Sequence, residues 1–197
     1  MNLSVNERCT AVDWEQVFLD LDTKGAAIVK GLLSPDECMT ISALYSNDDG
    51  FRSRVVMERH GFGRGEYKYF SYPLPDLIMN LRTTTYVSLV PIANRWNALM
   101  NIEIRYSVSH VEFLHRCHLA GQQKPTPLLL KYVTDDYNCL HQALYGEHIF
   151  PLQIAILLNE PIRDFVGGEF VITEQRPRMQ SRPSVIPLHQ RDAVPPG

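Results

Sequence analysis

A chain of 197 residues, 45% hydrophobic and 21% charged, is long enough to bury the core of one domain. Its formal net charge of −3 supplies no overall attraction to nucleic acid or to anionic membrane, so any such contact has to come from a local patch. Four scattered cysteines, Cys9, Cys38, Cys117 and Cys139, form no C-x-x-C pair, and the opening MNLSVNERCTAVDWEQ carries neither an export signal nor a run long enough to cross a bilayer. Reduced thiols in a cytoplasmic protein, with no membrane partner, are the expectation.

Trp14, Val17, Phe18 and Leu21 recur at helical spacing, and Gly25 follows as a stop. AAIVKGLL reads as a short buried strand. Ser34-Pro35-Asp36-Glu37 then places a capping hydroxyl, a proline at the first helical position and an acid at the third, which predicts a helix to about Tyr45. FRSRVVMERHGFGRGEYKYFSYPLP reads as extended or hairpin structure around a glycine-rich turn, Leu77 to Met100 returns to helical spacing, and Ser109 caps another helix ending near Gly121. After Pro127 come PLLLKYV, FPLQIAILLNE, GGEFVITEQ and SVIPLHQRDAV, short apolar or alternating runs between turn residues. The pattern predicts one α+β domain over 1–197, helix-rich over 1–124 and strand-rich over 125–197, with a jelly-roll-like sheet carrying the helices on its outer face. Asp192-Ala193-Val194 should open a last strand that Pro195-Pro196-Gly197 stops, so the late strands are expected to be missing.

Three local patterns invite chemistry. Arg52, Arg54, Arg59, Arg64 and Lys68 alternate with Phe51, Phe62, Tyr67, Tyr69 and Phe70, and Arg176, Arg178 and Arg182 surround a proline; such interleaving can track phosphates and stack bases. A plain hairpin, aromatics in the core and charges in water, is the preferred reading. His115-Arg116-Cys117-His118, with His110 upstream, lacks a second half at zinc spacing and reads as a solvated helix. GFGRG has no Gly-Lys-Ser/Thr and no strand-to-helix frame, so it is not a phosphate loop.

YNCLHQALYGEHIFPLQIAILLNEP, then GGEFVITEQRPRMQSR and IPLHQRDAV, resembles the Fe(II)/2-oxoglutarate-dependent oxygenase superfamily, most closely a bacterial prolyl-hydroxylase-like branch often described as acting on damaged DNA. FRSRVVMERHGFGRGEYKYFSYPLPDL and PTPLLLKY extend the resemblance over essentially the whole chain. It implies a double-stranded β-helix, a cupin-like jelly roll, with iron held by His-x-Asp and a distal His and with an arginine on the 2-oxoglutarate carboxylate. Two imidazoles and a carboxylate on one face of Fe(II) leave adjacent positions for the co-substrates. By that resemblance His141 is the first metal ligand, Ala143 stands at the Asp position, and Tyr132 matches a position that reaches 2-oxoglutarate in prolyl hydroxylases. Gly167, Gly168 and Glu169 match a structural turn. The distal His and the arginine would lie past Val194 and have no counterpart.

The resemblance therefore implies a dioxygenase using Fe(II) and 2-oxoglutarate, while His-x-Ala implies that this chain has little or no activity. A non-catalytic binding module, and a halogenase-like or partner-completed iron enzyme, are the alternatives. Of the spare histidines, His189 is the better placed by distance along the chain but falls in the turn before the last strand, and His148 falls at the entry to the next strand, so both read as solvent-exposed; nothing in the spacing of Glu147 or Asp192 favours either as a replacement carboxylate. Small molecules, protein prolyl side chains and alkylated nucleobases all fit as substrate classes, and an unpaired strand edge should favour self-association.

Overall fold

The computed structural model describes residues 3–141 and 150–195. Helix α1 (Val5–Thr10) opens with a reciprocal Ser4–Glu7 capping box, and α2 (Trp14–Lys24) runs from an Asp13 cap to Gly25 at φ 73°. Helix α3 (Pro35–Ala43) carries the predicted Ser34–Glu37 box and passes into a 3₁₀ turn over Leu44–Ser46. The Arg8 guanidinium ties α1 to this region: its Nε donates to Leu32 O at 2.9 Å, and its terminus pairs with Glu37.

The glycine-rich hairpin forms as expected. Strand β1 (Phe51–Val56) is followed by β2 (Gly63–Arg64) and β3 (Glu66–Phe70), and β1 and β3 pair antiparallel. Helix α4 (Asp76–Leu99) and helix α5 (His110–Leu119), capped by Ser109, follow. Strand β4 (Leu128–Lys131) adds to β3, and β5 (Tyr137–Asn138) pairs with β2. The remaining described strands are β6 (Ala155–Ile156), β7 (Phe170–Arg176), β8 (Gln180–Ile186) and β9 (Ala193–Val194), pairing β6 with β9 and β7 with β8. The described strands thus fall into four antiparallel sheets, an α+β architecture. Among the described residues no helix is long and apolar enough to cross a membrane.

Two sequence expectations change here. AAIVKGLL is an extended segment and not a regular strand, because a turn at Lys30 and Gly31, the latter at φ 63°, interrupts it. FPLQIAILLNE condenses to the two residues of β6. The reason is their partner: Val29 and Ala193 exchange two backbone hydrogen bonds at 2.8 and 2.9 Å, while Ile156 pairs with the other side of Ala193. Strand β9 is therefore an interior strand, with Ala193 and Val194 essentially sealed from water, and needs only a few residues to be held. Asp192 completes the junction by accepting the Gly31 amide at 3.0 Å and the His189 amide at 3.2 Å.

The helices contribute much of the core themselves. Tyr86, Leu89, Val90, Ile92 and Ala93 of α4 are buried with Cys9, Leu32, Leu33 and Cys38. Tyr86, Tyr106, Phe113 and Phe150 pack ring to ring at centroid distances of 5.0 to 6.0 Å, in stacked, tilted and edge geometries. Cys9, Cys38 and Cys117 are buried thiols, and burial pushes their pKa values up, as suits packing groups.

The solvated readings of the hairpin and of α5 are corrected in part. Lys68 lies on the inner face of β3 with Phe70 and is buried, its Nζ donating to Tyr45 O at 2.7 Å, pairing with Asp48 at 2.6 Å, and sitting 4.5 Å from the Tyr45 ring. Three partners offset the desolvation that would otherwise keep an ammonium at the surface. In α5, His115 is exposed, but His110 and Cys117 face the core.

Candidate functional site

The elements that position the candidate residues meet at the glycine-rich turn. Gly63 adopts φ 123°, open to glycine alone, and a Cβ there would overlap the Tyr137 carbonyl oxygen and lie 3.0 Å from the Asn138 Cα. Removing that side chain lets β2 lie against β5, and the pairing continues as Cys139 N–H donates to Phe62 O at 2.9 Å. Gly65, at φ 122°, does the same for Tyr132, whose ring would stand 2.8 Å from a Cβ. The turn dismissed as a phosphate loop is thus the seat on which Tyr132 and the strand leading to His141 rest. Its signal was the pair of glycines two residues apart, which put both on one side of an extended chain.

Tyr132 follows β4, is 43% exposed, and has its hydroxyl end near Asn138 and Asp136. Desolvation of the phenol raises its pKa; a hydrogen bond with the Asn138 side chain opposes that shift and the Asp136 carboxylate adds to it. Asp136 is itself fixed, accepting the Val133 amide at 2.8 Å, with Arg64 at 4.0 Å. Tyr132 and the strand before His141 are therefore linked through Asn138, three residues ahead of the histidine.

His141 is exposed, and its Nδ1 lies 2.8 Å from Cys139 O. A carbonyl oxygen can only accept, so Nδ1 carries the proton and the neutral ring presents a bare Nε2. That is the tautomer of an imidazole oriented for a metal, whose second nitrogen is commonly held by a backbone carbonyl. Ala143 lies outside the described residues, as do Glu147 and His148. His189 is exposed in the turn before β9, 3.6 Å from Glu160 across a pair that is ionic only when the ring is protonated. Asp192 has both carboxylate oxygens on backbone amides. Among the described residues no three His, Cys, Asp or Glu side chains are grouped to hold a metal ion. Gly167 and Gly168, at φ 81° and 69°, form the turn that leads into β7 and carry no chemistry.

The outer face of the β1–β3–β4 sheet is lined by Tyr67, Tyr69, Leu128 and Leu130, half-buried or exposed, in the directly opposed pairs Tyr67–Leu130 and Tyr69–Leu128. The Arg52 guanidinium lies 4.2 Å from the Tyr69 ring centroid, and Tyr67 meets Tyr69 edge-on at 5.4 Å.

Tyr132 directly follows β4, and His141 lies three residues beyond β5 with its Nδ1 on a backbone carbonyl. Residues 65–195 match the family model Oxygenase-NA, described as an oxygenase catalysing oxidative methylation of damaged DNA, and the chain belongs to that family. Two uncharacterized proteins of Mycobacterium tuberculosis, from strains CDC 1551 / Oshkosh and ATCC 25618 / H37Rv, are each 47% identical to it over 121 residues, covering 61% of this chain and 52% of theirs. The chain thus spans about half the length of these curated relatives. No solved structure matches it.

Proposed function

We infer that this oxygenase is of the Fe(II)- and 2-oxoglutarate-dependent kind, on a double-stranded β-helix of prolyl-hydroxylase-like ancestry, and that its own iron site is impaired. The observation that carries the reading is His141, held in the metal-ready tautomer with Ala143 two residues on. Alanine offers no donor atom, and one imidazole without a carboxylate does not supply the facial set that retains ferrous ion. Among the described residues, no second histidine and no carboxylate are grouped with His141 to fit the ion. Tyr132, seated on Gly65, is the residue assigned to 2-oxoglutarate. Among substrate classes, the family description favours a damaged base in DNA over a free small molecule or a prolyl side chain.

Anaerobic titration with Fe(II) and 2-oxoglutarate is expected to give no metal-to-ligand charge-transfer band, and succinate formation on methylated oligonucleotides is expected to stay at background. A clear band with succinate above background overturns the impaired site. A second reading is a binding module that works without metal, for which the tyrosine and leucine face of the β1–β3–β4 sheet would supply the contact surface. It requires that methylated oligonucleotides bind equally well in the presence of a chelator.

A further inference from the structure

Strands β7 and β8 form a seven-residue antiparallel ribbon in unbroken register from Phe170–Ile186 to Arg176–Gln180. At about 3.4 Å per residue it is roughly 24 Å long. Only its base is sheltered: Phe170, Ile172, Thr173 and Ile186 are half-buried, while the described side chains from Glu174 through Val185 are exposed. Three arginines and one glutamate give the ribbon a net charge of +2, in a chain whose total is −3.

The register places the charges. Glu174 is opposite Arg182 and Arg176 opposite Gln180, so Arg176 and Arg182 share one face, with Gln180 between them in the polar outer half. Glu174 is taken up by Arg176 at 3.0 Å, and neither Arg178 nor Arg182 has a described ion-pair partner. Arg178 occupies the turn at φ 65°, ψ 31°, a left-handed conformation in which glycine or asparagine is the less costly residue. The exposed half also carries Gln175, Gln180, Ser181 and Ser184, side chains able to donate to oxygen. Pro183, within β8, lacks the amide that a further strand would need, which disfavours extension of the ribbon by another polypeptide.

We propose that the β7–β8 ribbon is a nucleic-acid-binding arm, with Arg178 and Arg182 contacting backbone phosphates of single-stranded DNA. Charge complementarity selects the partner: guanidinium forks pair with phosphate oxygens, and the ribbon carries +2 in a chain whose total is −3. The proposal rests on the nucleic-acid reading of the substrate and deepens it, since the arm would hold the strand independently of any metal.

The test uses the full chain and a fluorescein-labelled, unmodified single-stranded oligonucleotide, with anisotropy followed across a salt series. The Arg178→Ala/Arg182→Ala variant is expected to bind about tenfold more weakly at low salt, and its slope of log K against log salt is expected to fall by about 1.4, roughly 0.7 for each lost phosphate contact. Arg178→Lys/Arg182→Lys, which keeps the charges, is expected to retain most of the slope. Wild-type binding that the alanine pair leaves unchanged, with unaltered thermal unfolding, overturns the arm and leaves the DNA reading standing. Absence of wild-type binding to any single-stranded or duplex oligonucleotide overturns both. Loss of a concentration-dependent oligomer in the alanine variant, with DNA binding untouched, overturns the proposal in favour of a protein partner.

Discussion

Acidification should destabilise this fold through one identifiable side chain. His110 is buried at 4% exposure, its Nδ1 3.1 Å from the Thr83 hydroxyl and its ring 4.9 Å from Tyr86. Burial, with a smaller contribution from the positive charge of Arg82, pushes its pKa from 6.5 down to about 4. The folded state therefore favours the neutral ring, whereas the unfolded chain takes up a proton as soon as pH drops below about 6.5. Stability from this group is complete above that value and is lost progressively as pH falls toward 4. Linkage between those two pKa values gives a loss of about 2.5 kcal/mol on going from about pH 7.5 to about pH 4.5. Against a typical total of 5–15 kcal/mol, a change of that size is readily measured. The assay is urea unfolding at both pH values for wild type and His110→Gln, which keeps a polar group near Thr83 but does not titrate. The variant should start lower, by about 1 kcal/mol for the altered hydrogen bond, and should lose about 2.5 kcal/mol less on acidification. An identical pH-dependent loss in both proteins would refute the assignment to His110.

Other perturbations report on the site and its support. Gly63→Ala should cost about 3 kcal/mol or abolish folding, because the new Cβ overlaps the Tyr137 carbonyl at a φ that alanine avoids; a melting curve within a degree of wild type would contradict the close approach. Lys68→Met should cost less than about 1 kcal/mol, because the stem survives and Asp48, 86% exposed at its side chain, returns to water, whereas Lys68→Ala should cost about 2–3 kcal/mol; equal losses in urea unfolding would mean that the charge and not the packing dominates. Ala143→Asp should strengthen Co(II) binding measured by calorimetry by about tenfold or more, corresponding to about 1.4 kcal/mol, with no such gain in Ala143→Asp/His141→Ala; a gain that survives loss of His141 would place the metal elsewhere.

Local chemistry made many of the elements readable. Ser34-Pro35-Asp36-Glu37 and Ser109-x-x-Glu112 start helices where they stand because a capping hydroxyl and the N3 amide are near neighbours in the chain. The hairpin of β1 and β3 followed from its glycine-rich turn and the long α4 from periodicity. The candidate site was legible only in its residue types. Tyr132 and His141 could be picked out, but their shared dependence on Gly63, Gly65 and Asn138 could not, because each of those contacts joins segments separated by many residues.

The order of residues by itself determined where α3 and α5 begin and that Ala143 cannot donate to a metal. Only the tertiary structure decided that Val29 and Ile156 would enclose Ala193, that Lys68 and His110 would be buried, and that the β7–β8 ribbon would expose its arginines. The physical reason is range. Caps and periodicities are settled within a few residues, whereas burial of a polar side chain depends on which distant groups arrive to replace water, here Tyr45 and Asp48 for Lys68 and Thr83 for His110.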